Sequence, residues 1–164
     1  MVPGNPNASA KGTNGGLPEP GLGNGGEDIL FNIGLAIATL GTSIPEELGL
    51  SAAEQLAANR AAGAAFEQAV GEQLGQSGLE VAPQISIGTE SGVTTRLDFL
   101  TRDPLTGEIG CVECKSSLTA PLTTNQALAF PEIEQSGGTI LGIGKPGFPG
   151  GTQIPPTAVT IIRP

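Results

Sequence analysis

The segment 94–117 constrains the fold more than any other part of the chain, because its pattern predicts a β-hairpin with charged residues on both arms. Residues 94–101 and 109–116 mix β-branched and apolar side chains with polar ones, as strands with one buried face do. The Asp-Pro-Leu-Thr-Gly sequence between them is rich in turn-forming residues. We therefore expect the two arms to pair in an antiparallel sheet.

This hairpin would bring two acids and a lysine together. If Asp103 and Glu108 close the turn, Asp98 stands directly opposite Glu113, and Lys115 lies on the same sheet face. Adjacent carboxylates repel unless a proton, a lysine or a metal ion compensates, and Mg²⁺ commonly takes one or two carboxylates together with waters and phosphate oxygens. Beside such an ion, Lys115 could orient a water molecule that attacks a bound phosphate. The alternative is an exposed sheet face with a weak Glu113–Lys115 ion pair.

Asp98 followed by Glu113-Cys114-Lys115 resembles the D…(D/E)-x-K signature of the PD-(D/E)XK nuclease superfamily, although Leu97 stands where the signature has proline. The resemblance covers roughly residues 51–143. It implies an α/β fold with a restriction-endonuclease-like core, in which a helix, three strands, a helix and a strand build a central mixed sheet. Here an extra N-terminal helix would precede that core. The resemblance also implies catalysis with Mg²⁺ or Mn²⁺ held by the acidic residues.

A long helix is predicted over residues 51–75, where a capping-box pattern precedes an Ala-rich stretch without proline. Glu67 lies on its expected inner stripe, where the nuclease resemblance implies an additional catalytic, metal-binding carboxylate. The alternatives are that Glu67 is exposed, or that Glu72 takes this position instead. The expected inner stripe, at spacings typical of a helix face, comprises Leu56, Gly63, Val70 and Leu74.

A second capping box, Thr-Thr-Asn-Gln at residues 123–126, predicts a helix that continues through Gln135 despite Pro131. Gln126 has two explanations that remain open. Its side chain could cap the amide of Thr123, or it could point at the site and orient water or phosphate, as in nuclease relatives with a Gln on this helix.

Further strands are predicted over residues 80–87, 139–143 and 158–162. Residues 144–156 form a predicted Pro/Gly loop. This loop would make Lys145 and Phe148 available for substrate binding, although a purely structural loop is the alternative.

Upstream of the nuclease-like domain, which we place at residues 51–164, two segments are distinguished by composition. Residues 1–27 are rich in Gly, Pro and Asn and predict a flexible tether. Residues 28–50 predict a helical extension, whose apolar run is shorter than the roughly 20 residues that span a bilayer. We expect that run to pack in a core, without stable membrane insertion.

Composition limits the chemistry. The chain has no His, which excludes histidine-dependent triads, and two Cys without further partners are too few for a structural zinc site. The net charge is −9, and residues 51–164 alone carry six basic against eleven acidic residues. This balance has the wrong sign for a generic nucleic-acid binder, whose affinity comes largely from cations that neutralise phosphates.

Residues 113–164 further resemble C-terminal toxin domains of Rhs-type polymorphic toxins. This resemblance implies a larger toxin or secretion-system carrier, secretion or delivery by a specialised system, action in the target-cell cytoplasm and a cognate immunity protein. The expected function is a Mg²⁺-dependent endonuclease that cuts DNA and acts as an antibacterial toxin. The alternatives are an RNase toxin, or an inactive protein-interaction module with the same fold.

Overall fold

A computed structural model describes residues 51–164. The predicted tether and the predicted helical extension lie outside the described residues. The described part is a mixed α/β structure in which two helices pack on a six-stranded mixed sheet. In chain order its elements are α1 (Ala52–Gln76), β1 (Glu80–Gly88), β2 (Thr94–Arg102), β3 (Ile109–Cys114), α2 (Thr124–Ser136), β4 (Gly138–Ile140), β5 (Gly144–Lys145), β6 (Phe148–Pro149), β7 (Gln153–Ile154) and β8 (Val159–Ile162).

The strand order across the sheet is β7-β4-β1-β2-β3-β8. Neighbouring strands run antiparallel except for β3 and β8, which are parallel. The short strands β5 and β6 form a separate two-stranded ribbon. The strand beside β3 is therefore β8, at the end of the described chain. It lies beyond residue 143, the end of the predicted nuclease-like pattern.

Two predictions after α2 are wrong in detail. The strand predicted over residues 139–143 is only Gly138–Ile140, and the predicted loop 144–156 contains β5, β6 and β7. Glycines in left-handed conformations explain the early end of β4, since Gly142 has a φ of 68° and Gly144 a φ of 72°. Such angles turn the chain away from an extended path.

The predicted hairpin register is confirmed. The Asp103 N–H donates to the Glu108 carbonyl at 2.9 Å, and Phe99 pairs with Val112. That pair is the last in the β2–β3 ladder. Beyond it the amino-terminal half of β2 pairs only with β1, while the end of β3 pairs with β8. The two strands thus separate at the level of Asp98 and Glu113.

Helix α1 packs on one core through its carboxyl-terminal half. Its capping box is present: the Ser51 hydroxyl accepts from the Glu54 N–H at 3.4 Å, and the Glu54 carboxylate accepts from the Ser51 N–H at 2.8 Å. The prediction that Leu56 faces inward is wrong, since that side chain is 50% exposed. The buried stripe begins only at Phe66, because the first half of the helix does not pack on the sheet. The core formed with α1 comprises Phe66, Val70, Leu74, Phe99, Val112 and Ile162.

The two cysteines lie on opposite sides of the sheet, as expected for residues three apart in a strand. Cys111 belongs to the core under α2, whereas Cys114 packs against the core under α1. Both are free thiols. Burial raises the pKa of the Cys111 thiol to about 12 and also raises the pKa of Cys114. Both thiols are therefore protonated at neutral pH, which disfavours them as nucleophiles.

Within residues 51–164, no helix combines the length and the apolar character needed to cross a membrane.

Candidate active site

The site lies where β2 and β3 separate. Two cavities, of about 650 and 330 Å³, open there, and Asp98, Glu113 and Lys115 line both of them. The predicted trio of two acids and a lysine is therefore brought together. The larger cavity is also lined by Ser86, Thr94, Thr95, Arg96, Thr123, Asn125, Gln126 and Leu141. The smaller one is also lined by Gly63, Phe66, Glu67, Cys114, Ser116, Ala120 and Pro121.

Glu113, Lys115 and Gln126 form a closed triangle of contacts. Glu113 Oε1 lies 3.0 Å from Lys115 Nζ and accepts a 2.6 Å hydrogen bond from Gln126 Nε2. Lys115 Nζ donates in turn to Gln126 Oε1 at 2.7 Å. Glu113 is 4% exposed and Lys115 8%, so this ion pair is largely removed from water. The alternative of an exposed sheet face is therefore wrong, and Gln126 in the first turn of α2 contacts both side chains.

Glu113 Oε2 is buried and has no hydrogen-bond partner within residues 51–164. A buried acceptor without a partner costs about 1–3 kcal/mol, and more when it carries charge. Burial raises the pKa of the Glu113 carboxyl, the hydrogen bond from Lys115 opposes the rise, and the negative charge of Asp98 adds to it. The second oxygen of Glu113 is thus an electron-rich atom that a proton or a cation would stabilise.

Asp98 is held by a backbone amide and a glutamine. Its Oδ2 accepts from the Cys114 N–H at 2.7 Å, and its Oδ1 accepts from Gln84 Nε2 at 3.0 Å. The Cys114 amide lies just past the last pair of the β2–β3 ladder, so the carboxylate of Asp98 satisfies a donor that the separating strands leave behind. These two hydrogen bonds fix the orientation of Asp98 where it lines both cavities.

Gln84 connects Asp98 to α1. Its Nε2 also donates a short hydrogen bond to Glu67 Oε1, so one amide bridges two carboxylates. Among non-glycine residues in the described part of the chain, Gln84 alone has a positive φ, of 52°. Such a conformation costs about 1–3 kcal/mol and is often found at functional sites. Sequence reasoning missed Gln84, although Pro83 inside a predicted strand was a signal of a local irregularity.

Both strands lose their regular alternation at this point. Ala82 and Ile85 of β1 belong to the same core, as do Leu97 and Leu100 of β2. In a regular strand, residues three apart face opposite sides of the sheet. The break falls at Gln84 and Asp98, and the strands remain in register on both sides of it. At the break, Gln84 contacts both Asp98 and Glu67.

The remaining predicted residues are placed as follows. Glu67 is half-buried and lines the smaller cavity, whereas Glu72 is exposed and bonded to Gln68 at 2.8 Å, so the geometry favours Glu67 of the two. Gln126 caps the helix, since its Oε1 accepts from the Thr123 N–H at 3.0 Å, and the same side chain contacts Glu113 and Lys115. That it orients water or phosphate stays a prediction. Lys145 is exposed on β5 and lines neither cavity. The prediction that Phe148 is available for substrate is wrong, because its ring is buried in the core under α2.

One cation was missed. Arg96 lines the larger cavity, opposite Ser86 of β1. Its position two residues before Asp98 in the predicted strand was the only signal available in the sequence.

The donor set fits a hard divalent cation with few protein ligands. Within residues 51–164, no three His, Cys, Asp or Glu side chains are grouped so that they alone could hold an ion. Mg²⁺ does not need such a group, because it commonly binds through one or two carboxylates and keeps several waters. Asp98 and Glu113 are the carboxylates that would hold the ion. The unpartnered Oε2 of Glu113 is the atom that the ion would stabilise most.

Comparisons of this chain with models of protein families, with curated proteins and with solved structures give no match. The function is therefore inferred from the chemistry of the site.

Proposed function

We propose that this domain is a Mg²⁺- or Mn²⁺-dependent nuclease that hydrolyses phosphodiester bonds, with DNA as its first substrate. The observation that carries the proposal is the asymmetric environment of Glu113. One carboxylate oxygen is fixed by Lys115 and Gln126, while the other is buried without a partner. A structural ion pair would be expected to satisfy both oxygens, since buried polar groups are usually hydrogen-bonded.

Each side chain has a role in this reaction. A bound metal ion would activate water and withdraw charge from the phosphate. Asp98 and Glu113 would hold the ion, and Gln126 would keep the free oxygen of Glu113 directed at it. Lys115 Nζ, which lies 3.0 Å from Glu113 Oε1, would orient the attacking water and offset negative charge on the phosphate. Glu67 would act through Gln84, by fixing Asp98.

The order of elements supports a restriction-endonuclease-like core. The elements α1, β1, β2, β3, α2 and β8 follow the order of helix, three strands, helix and strand that the nuclease resemblance implies. Strands β4 and β7 are additions on the far side of β1, and β5 and β6 form the separate ribbon. The proposed catalytic residues lie on β2, β3, the residue after β3 and the first turn of α2, with Glu67 supplied by α1.

The resemblance of residues 113–164 to Rhs-type toxin domains supports an antibacterial role for this nuclease. A carrier would deliver the domain to the cytoplasm of a target cell, and a cognate immunity protein would protect the producing cell. Because residues 51–164 have an acidic balance, that partner is expected to present basic residues and to bind more slowly at high salt. The toxin role is tested by inducing wild type and Asp98→Asn in bacteria and counting viable cells.

Plasmid cleavage tests the enzymatic proposal. We expect wild type to nick or linearise plasmid with Mg²⁺ but not with EDTA. Asp98→Asn, Glu113→Gln and Lys115→Ala should each lose activity by a factor of hundreds or more, since each removes a group at the reacting centre. Circular dichroism should show that the three variants remain folded. Undiminished cleavage by Glu113→Gln would refute the proposed site.

The acidic balance of residues 51–164 favours one rival function, an inactive protein-interaction module. If wild type cleaves neither plasmid nor RNA with Mg²⁺ or Mn²⁺, that rival is preferred. Cleavage of RNA alone would instead identify an RNase.

A further inference from the structure

Arg96 differs from Arg102 and Arg163 in having no side-chain partner within residues 51–164. Arg60 has none either, but it does not line the larger cavity. Arg102 is ion-paired with Glu80 and lies 5.0 Å from the ring centroid of Phe148. Arg163 donates to two backbone carbonyls at 2.9 Å. Arg96, by contrast, enters no ion pair with the described residues and is exposed at the larger cavity. An arginine exposed in this way is available to a ligand.

The position of Arg96 relative to Asp98 suits a phosphate beside the reacting one. Both residues lie on β2 and line the same cavity, and residues two apart in a strand are about 7 Å from each other. Lys115, the residue after β3, also lines this cavity and is engaged by Glu113 and Gln126. The guanidinium of Arg96 is therefore close to the proposed metal site without being part of it.

The rest of the larger cavity offers groups that recognise a nucleic-acid backbone. Hydroxyl and amide side chains bind phosphate and sugar, and so does the amino end of a helix, which here opens at Thr123. Proteins that grip bases in single strands stack them on aromatic side chains. No Phe lines this cavity, and the chain has no Trp or Tyr. The hydroxyl and amide side chains are those of Ser86, Thr94, Thr95, Thr123 and Asn125.

We propose that Arg96 is a substrate-binding residue that holds the phosphate adjacent to the scissile one, and that the larger cavity reads the backbone rather than the bases. This inference rests on the proposed nuclease function and adds the part of the substrate that the domain recognises. It assigns to Arg96 the role that the sequence had suggested for Lys145. Cleavage should therefore show little dependence on base sequence.

Two matched variants test the role of Arg96. Arg96→Gln and Arg102→Gln each remove one positive charge from β2, but Arg102 is six residues away, or about 20 Å along the strand. Arg96→Gln should raise KM about tenfold with kcat nearly unchanged, because it removes binding common to substrate and transition state. Arg96→Lys should recover part of this loss, and Arg102→Gln should retain the wild-type KM.

Binding measured without cleavage separates this inference from the proposed function. In an Asp98→Asn background with Mg²⁺, the affinity for a labelled duplex is measured by fluorescence anisotropy over a range of NaCl concentrations. Arg96→Gln should reduce the slope of log affinity against log salt by about 1, as expected for one lost phosphate contact. AT-rich and GC-rich duplexes should lose affinity equally.

The outcomes are distinguishable. If wild type cleaves but Arg96→Gln and Arg102→Gln share the same KM and salt slope, the assignment of Arg96 is overturned and the nuclease function stands. If affinity depends on Arg96 but wild type does not cleave, the binding site is supported and the proposed catalysis fails. A strong preference of wild type for one base composition would overturn recognition through the backbone.

Discussion

Gln84 donates a 3.0 Å hydrogen bond from Nε2 to Asp98 Oδ1 while its own backbone adopts a left-handed φ of 52°. The same amide reaches Glu67 on α1. A residue in an unfavourable conformation thus joins two acids that would otherwise repel each other. This combination indicates that the local geometry serves the site at the expense of stability.

Replacing Gln84 should separate its backbone strain from its side-chain contacts. Gln84→Gly and Gln84→Ala both delete the bridging amide, so both should reduce cleavage about tenfold or more by freeing Asp98. Glycine accepts a positive φ, whereas alanine pays about 1–2 kcal/mol there. Urea unfolding should therefore show Gln84→Ala to be less stable than Gln84→Gly by roughly 1 kcal/mol. The reverse order would contradict the left-handed conformation.

Substitution of Gln126 should lower kcat by more than the loss of the helix cap alone would. Thr123→Ala removes the capping hydroxyl and is expected to cost about 1 kcal/mol of unfolding free energy with modest change in kcat. Gln126→Ala also removes the contacts with Glu113 and Lys115, so kcat should fall much further. Thermal melts and plasmid cleavage of the two variants make the comparison. Equal kcat values in the two variants would show that Gln126 acts only as a helix cap.

The raised pKa of Glu113 predicts a specific pH dependence of stability. The folded carboxyl holds its proton more tightly than the unfolded one, so it favours folding below the ordinary value of 4.5. That contribution is lost as pH rises from 4.5 through the raised pKa. Relative to Glu113→Gln, wild type should therefore become progressively less stable toward neutral pH. Urea unfolding of both proteins across this range measures the difference, and a constant difference would contradict the shift.

Metal binding should stabilise the folded domain. A ligand that binds only the folded state at a hundredfold excess over Kd contributes about 2.7 kcal/mol. Wild type should therefore melt at a higher temperature in Mg²⁺ than in EDTA, and Glu113→Gln should show almost no shift. Glu72→Gln is the matched control, because it removes an exposed carboxylate from α1. Equal shifts in all three proteins would indicate binding elsewhere.

The sequence predicts the hairpin well because its information is local. Turn residues at 103–107 and the pattern of the two arms determine the register that brings Asp98 and Glu113 to the same level. Capping boxes are equally local and locate the starts of α1 and α2 within one residue. Features that depend on several adjacent residues of one segment are thus accessible without a structure.

What the sequence misses depends on contacts between distant segments. The bridge from Gln84 to Glu67 exists only because α1 docks against β1, and no spacing within either segment encodes it. The proposed role of Arg96 depends on β2 and β3 separating after Phe99 and Val112, which the alternation of polar and apolar residues does not reveal. The early end of β4 depends on the conformation of Gly142, which the residue type allows but does not require.

The shared amide of Gln126 has a dynamic consequence. Helix ends commonly fray by local opening that leaves the rest of the protein intact. Here the first turn of α2 cannot open freely, because Gln126 Oε1 accepts from both the Thr123 N–H and Lys115 Nζ. Fraying would expose a buried ion pair, so amide exchange at Thr123 should occur only together with solvent entry around Glu113. The helix end and the charged centre therefore open and close as a single cooperative unit.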